Sequence, residues 1–208
     1  MKGSMVVLLL FVLGGFVGIS HFVPQEWLGN SLSMSILCVL IFQVGISIGS
    51  NKNLKEMLQG LKPGMLLLPL STIAGTLLFS LLASFFIAQW GMADCMAVGS
   101  GFAYYSLSSI LITQLKEASI GLQLATELGT IALLSNIFRE MMALLGTPLL
   151  CKYFGKLAPI SAAGVNSMDV VLPMITRYSG KDMMPVAIFH GILIDMSVPF
   201  FVSLFCKL

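Results

Sequence analysis

Five long apolar runs, at residues 5–22, 32–48, 65–88, 121–150 and 184–205, decide what this chain can become. Each approaches or exceeds the roughly 20 residues a helix needs to cross a hydrocarbon core about 30 Å thick. Charged residues make up 10% of the chain and apolar ones 57%, whereas an ordinary soluble domain carries about 25% charged residues. So few charges cannot coat a soluble globule, and the predicted fold is an all-α integral membrane protein with a single membrane domain over residues 1–208. Lys2 ahead of the first run has the look of a signal peptide, but no small-x-small cleavage site follows and a second run comes almost at once, so the first run reads as a span. His21 at its end reads as an interfacial residue. The net charge of +2 is scattered, with no basic cluster interleaved with aromatics, which excludes nucleic acid as a partner. Cys38, Cys95, Cys151 and Cys206 show no metal-type spacing, and the fourteen methionines read as helix packing. No metal, cofactor or catalytic residue is expected.

Between the runs lie two segments of another kind. Ser161 to Pro173 sets Asn166, Ser167 and Asp169 between Gly164 and Pro173, residues that weaken or end a helix. Aligning Gly101 with Gly164 lays Gly101 to Ser106 on Gly164 to Asp169, and Thr113 on Thr176. Paired, interrupted and polar segments in an apolar chain point to the binding site of a secondary transporter, because unwound backbone is tolerated at membrane depth only where it lines a cavity. The broken elements are expected near 94–113 and 161–176. Lys52, Lys55 and Lys62 place their loop in the cytoplasm. If both broken elements turn back to their own side, Lys2, Lys52, Lys55, Lys62, Lys152, Lys156, Arg177 and Lys181 lie inside, and Lys116 and Lys207 outside. If both cross, Lys116 moves in while Lys152 and Lys156 move out, a poorer asymmetry. The expectation is therefore five full spans and two re-entrant elements in an inverted arrangement, with the N-terminus cytoplasmic and the C-terminus outside.

Ionisable residues inside spans mark substrate or ion pathways by default, since a charge at mid-bilayer costs about 2.5 to 3.5 kcal/mol on insertion scales. Asn136, Arg139 and Glu140 stand at i, i+3 and i+4, so they share one side of their helix, which cannot face lipid. A self-satisfying Arg139–Glu140 pair is the alternative, although adjacent helical residues diverge by about 100°. In the last span His190 and Asp195 are five apart and so on different faces. His190 reads equally as a pathway residue or as a neutral histidine bonded to a neighbouring helix, and Asp195 as a secondary candidate. Ser106, His190 and Asp169 form no hydrolase motif, so no enzyme is expected.

Val44-Gly45-Ile46-Ser47-Ile48-Gly49, the run Ser100 to Ser109, Arg139-Glu140, Ser167-Met168-Asp169 with Pro173, and His190-Gly191 together resemble the LysO lysine exporter family over essentially the whole chain. The resemblance implies export of L-lysine from the cytoplasm through a bacterial inner membrane, with an intramembrane acidic pair matching Glu140 and Asp169. Lysine suits these residues. Two carboxylates would balance its two ammonium groups, and the start of a half-helix at a hairpin tip would present N–H donors to its carboxylate. Asn166, Ser167, Ser106 and Tyr105 would fill the remaining contacts, with His190, Asp195, Asn136 and Arg139 as proton-relay or pathway candidates. Two carboxylates in a dry site repel, which favours proton antiport; potential-driven uniport is the rival. A different basic amino acid or cation, or a non-transporting structural subunit, are the other readings. Usual family members carry roughly three further spans, of about 20 residues each, ahead of the region that starts here at Met5. Besides lipid and lysine, a small companion membrane subunit is thus expected as partner, or a homo-oligomer, with Gln43 and Ser47, and Ser71 and Gly75, as contact faces.

Overall fold

The computed structural model describes residues 63–208, together with the isolated helical positions Leu13, Phe16, Val17, Ser35, Val39, Phe42 and Ile46. The remainder of the runs expected at 5–22 and 32–48, including His21, Cys38, Gln43 and Ser47, lies outside the described residues, as do Lys2, Lys52, Lys55 and Lys62. Among the described residues every regular element is helical. Three of their helices are long and apolar enough to cross a membrane: Gly64–Ser84, Leu122–Phe154 and Lys181–Cys206. They fall on the apolar runs at 65–88, 121–150 and 184–205.

A 3-10 turn, Pro63–Leu66, leads into α1, Leu67–Ser84, whose first turn tolerates Pro69 because no helical N–H is needed there. Only Pro69 and Thr72 of α1 are buried. Leu67, Leu70, Leu78 and Phe79 point outward from a helix that is apolar on all sides, as a helix bathed in lipid or covered by another membrane helix does.

α2, Met92–Gly99, and α3, Tyr105–Ile120, flank the first break. Had α3 continued the direction of α2, Asp94 and Lys116 would stand about 30 Å apart. Instead Lys116 Nζ lies 2.7 Å from Asp94 Oδ1, so the chain folds back on itself. The second broken element repeats this geometry with α5, Ala158–Ala163, the 3-10 turn Gly164–Met168 and α6, Leu172–Tyr178. Its two ends meet through Lys156 Nζ and Asp182 Oδ2 at 3.6 Å, and through the Cys151 thiol, which donates to the Tyr178 carbonyl at 3.2 Å.

Between the two hairpins runs α4, Leu122–Phe154, joined to α3 through Gly121 alone. Its 33 residues extend about 50 Å, more than a bilayer core needs. The chain closes with α7, Met184–Cys206. Each hairpin packs its own apolar cluster against α4 and α7. The first gathers Phe102, Leu107, Ile112, Leu128, Val198 and Phe205. The second gathers Ala143, Leu144, Ile160, Val171, Ile175 and Ala187.

Candidate functional site

The two breaks meet at their tips. Ser100 to Tyr104 leave the helix after α2, and Phe102 and Ala103 take left-handed backbone angles, φ +45° and +74°. Bulky and Cβ-bearing residues adopt such angles only where the surroundings hold them there. What holds them comes from far along the chain. Asn136 on α4 accepts the Ala103 N–H on Oδ1 at 2.7 Å, while its own Nδ2 donates to the Ala132 carbonyl and the Ser108 hydroxyl. Asn166, in the break of the second hairpin, donates from Nδ2 to the Ala103 carbonyl at 3.3 Å. One residue, Ala103, is thus gripped at its N–H by α4 and at its C=O by the other hairpin. Beside it the Val165 N–H donates to the Phe102 carbonyl at 3.0 Å, a direct backbone bond between the two breaks. Gly164 makes the approach feasible: its φ is +59°, and a Cβ there would fall on the Phe102 carbonyl oxygen.

Glu140 stands one helical turn beyond Asn136 and is 1% exposed. Its Oε2 accepts from Asn166 Nδ2 at 2.9 Å, so the same amide joins Glu140 to the Ala103 carbonyl. Tyr105, at the start of α3, lies within electrostatic reach of both Glu140 and Asp169. Asp169 ends the 3-10 turn of the second break and its side chain is exposed. Ser106 follows Tyr105, half-buried in the first turn of α3, a helix that begins with no side-chain cap. Its leading N–H groups are therefore presented rather than consumed. Glu140, Asn166, Tyr105 and Asp169 are brought together around the crossing, with Ser106 beside them.

The other candidates hold the crossing from outside. Ser167 is committed to α7: its hydroxyl donates to the Ala187 carbonyl at 2.9 Å and meets His190 Nδ1 at 3.0 Å. His190 Nε2 meets Thr72 Oγ1 at 3.0 Å, and Thr72 meets the Ser161 hydroxyl at 2.6 Å. Thr72 also donates to the Leu68 carbonyl at 3.0 Å, so both ring nitrogens of His190 are engaged in one chain of hydroxyls that ties α7 to α1 and to the second hairpin. Arg139 turns to the end of α5. Its Nε donates to the Ala162 carbonyl at 3.0 Å, Nη2 to the Ser161 carbonyl at 3.2 Å and Nη1 to Thr76 Oγ1 at 3.2 Å. A cation there satisfies the bare carbonyls and negative dipole end of a helix that stops in mid-structure. Arg139, Thr72 and Ser161 also line an open groove between α1 and α4. Asp195, 4% exposed on α7, lies apart from these contacts.

Sequence reasoning did not single out Thr72, one of five hydroxyls along α1, whose partners lie 89 and 118 residues away. Ser108 it saw only as part of a motif.

The described residues thus form an all-helical membrane protein whose two folded-back, broken elements meet tip to tip beside a buried carboxylate. The chain belongs to the LysO family: the family model described as lysine exporter LysO matches residues 8–206. It is 30% identical over 198 residues to "Lysine exporter LysO" of Escherichia coli, a match covering 93% of this chain and 61% of that protein. A second relative, "Putative lysine exporter" of Haemophilus influenzae, is 31% identical over 187 residues, covering 87% of this chain and 88% of its own length. The chain thus spans about three fifths of the Escherichia coli relative. No solved structure gives a significant match.

Proposed function

We propose that the chain exports L-lysine from the cytoplasm across a bacterial inner membrane, and that both hairpins are re-entrant, the first opening outside and the second inside. The observation that carries this reading is the bond from Asn166 to both Glu140 and Ala103, which puts a buried carboxylate at the crossing in a chain of this family. Lysine offers two cationic ends and one anionic group. Glu140 and Asp169, both in reach of Tyr105, balance the ammonium groups. The uncapped first turn of α3 receives the carboxylate. Ser106 and Asn166 complete the contacts, while Asn136, Arg139 and Ser167 keep the breaks in place.

The test is efflux of labelled lysine from preloaded cells of the native host. Glu140→Gln and Asp169→Asn keep shape and lose charge, and both are expected to lower efflux with the protein still inserted, Glu140→Gln by about a hundredfold, the scale of an unpaired buried charge. Near-normal efflux by both variants defeats the assignment. Competition by arginine, ornithine and inorganic cations identifies the substrate range. Proton antiport, our reading over uniport, requires that an imposed pH gradient drive efflux when the membrane potential is clamped. For orientation, Glu117→Cys at the first mouth should react with an impermeant thiol reagent from outside, and Asp182→Cys at the second from inside. Labelling of both from one face defeats the inverted arrangement.

A further inference from the structure

α7 touches both hairpins, and with different residues. His190 engages Ser167 of the second break and is fully bonded there. Gly191, the next residue, packs so closely on Met168 of the same break that a Cβ would stand 2.7 Å from the Met168 Cβ. Asp195 is four residues beyond Gly191 and therefore on the same face of α7, one turn nearer the first hairpin. There the phenol of Tyr104, the hinge residue before α3, lies within its electrostatic reach. Asp195 is 4% exposed, and its Oδ1 has no hydrogen-bond partner among the described residues.

A second lack compounds the first. Pro199 stands four residues after Asp195 inside α7 and brings no N–H, so the backbone carbonyl of Asp195 loses its usual helical donor. Among the described residues, a carboxylate oxygen and a carbonyl oxygen of one residue are thus both short of donors, on a helix whose neighbouring positions Ile194 and Val198 belong to an apolar cluster. The charged and titratable groups nearby are otherwise engaged or turned away. His190 is held by Thr72 and Ser167, Asp169 is exposed after Met168, and the Asp94–Lys116 pair lies beside Cys206, about three turns further along α7. Buried negative charge left in this condition is expensive and is ordinarily neutralised by a cation.

We infer that Asp195, with its own backbone carbonyl, forms a site for a monovalent cation that is separate from the Glu140 pocket and couples transport to an ion gradient. The ion is a proton or a sodium ion, both answering to the same two oxygens. Because α7 grips the second break through Ser167 and Gly191 and also packs on both helices of the first hairpin, neutralising Asp195 biases how the first hairpin sits against the second.

The flux arm of the test rests on the lysine reading; the spectroscopic arm does not. In liposomes holding the purified protein, lysine–lysine exchange is compared with net flux driven by a pH gradient without sodium, and by a sodium gradient at equal pH. The ratio of driven flux to exchange is expected to fall about tenfold or more in Asp195→Asn, the ordinary scale of coupling between sites, and to recover partly in Asp195→Glu. The gradient that drives the unaltered protein names the ion. An unchanged ratio in Asp195→Asn overturns the inference, as does exchange by the unaltered protein that neither gradient drives. So does a parallel fall of both rates, which would mark a structural role. If the unaltered protein exchanges no lysine, the lysine reading fails, and infrared difference spectra on a pH or sodium jump decide the site alone. A carboxyl band absent from Asp195→Asn upholds the site, and identical spectra overturn it.

Discussion

The two hairpins share a plan and differ in how firmly each is fastened. At the mouth of the first, Asp94 and Lys116 pair at 2.7 Å with side chains only 17% and 9% exposed, and Asp94 also accepts the Gly91 N–H. At the mouth of the second, Lys156 and Asp182 are 3.6 Å apart and about 60% exposed. The breaks differ in the same direction. The first forces left-handed angles on Phe102 and Ala103 and needs Asn136 to keep them, whereas the second bends at Gly164, which adopts such an angle without penalty. The first hairpin is clamped at base and tip. The second has a looser base, and its break and leading helix are tied instead to α7 and Arg139.

Lys116→Met should show the contrast most strongly. It leaves the Asp94 carboxylate buried without its partner, a loss of about 3–5 kcal/mol, and thermal unfolding in detergent should show a marked fall that adding Asp94→Asn partly reverses. At the tips, Asn136→Leu strips the Ala103 N–H of its acceptor and should cost about 1–3 kcal/mol. Gly164→Ala, which sets a methyl against the Phe102 carbonyl, should cost a similar 1–3 kcal/mol through a strained backbone angle. An Asn136→Leu protein as stable as the parent would mean that the first break holds itself. Smallest of all, Lys156→Ala should change stability by about 0–1 kcal/mol, since an exposed pair is screened by water and salt. A loss there equal to that of Lys116→Met would erase the difference between the hairpins.

The long helices α1, α4 and α7 were legible because lipid imposes one simple demand, a sustained apolar run, and that demand is local in sequence. Two breaks were legible for a similar reason: Gly164, Pro173 and a cluster of polar residues are conspicuous in such a chain. Their inner geometry was not. Aligning Gly101 with Gly164 suggested matching bends, yet the left-handed positions of the first break are Phe102 and Ala103, which no local rule marks. They are held by Asn136, 33 residues on, and by Asn166, 63 residues on. Asp195 was given less weight for want of polar neighbours within a turn. The missing donor at its carbonyl follows from Pro199, a residue whose effect depends on the register of the helix.

The backbone carbonyls of Phe102 and Ala103 also set the character of any motion at this crossing. The Phe102 carbonyl takes the Val165 N–H at 3.0 Å and the Ala103 carbonyl takes Asn166 at 3.3 Å, while Asn166 holds Glu140 at 2.9 Å. Hydrogen bonds of this kind weaken steeply once stretched by about half an ångström. A relative slide of the hairpins by even one ångström therefore releases the backbone bond and the amide bond together. Intermediate positions forfeit both without replacing them, so the crossing behaves as a latch with discrete settings rather than as a spring.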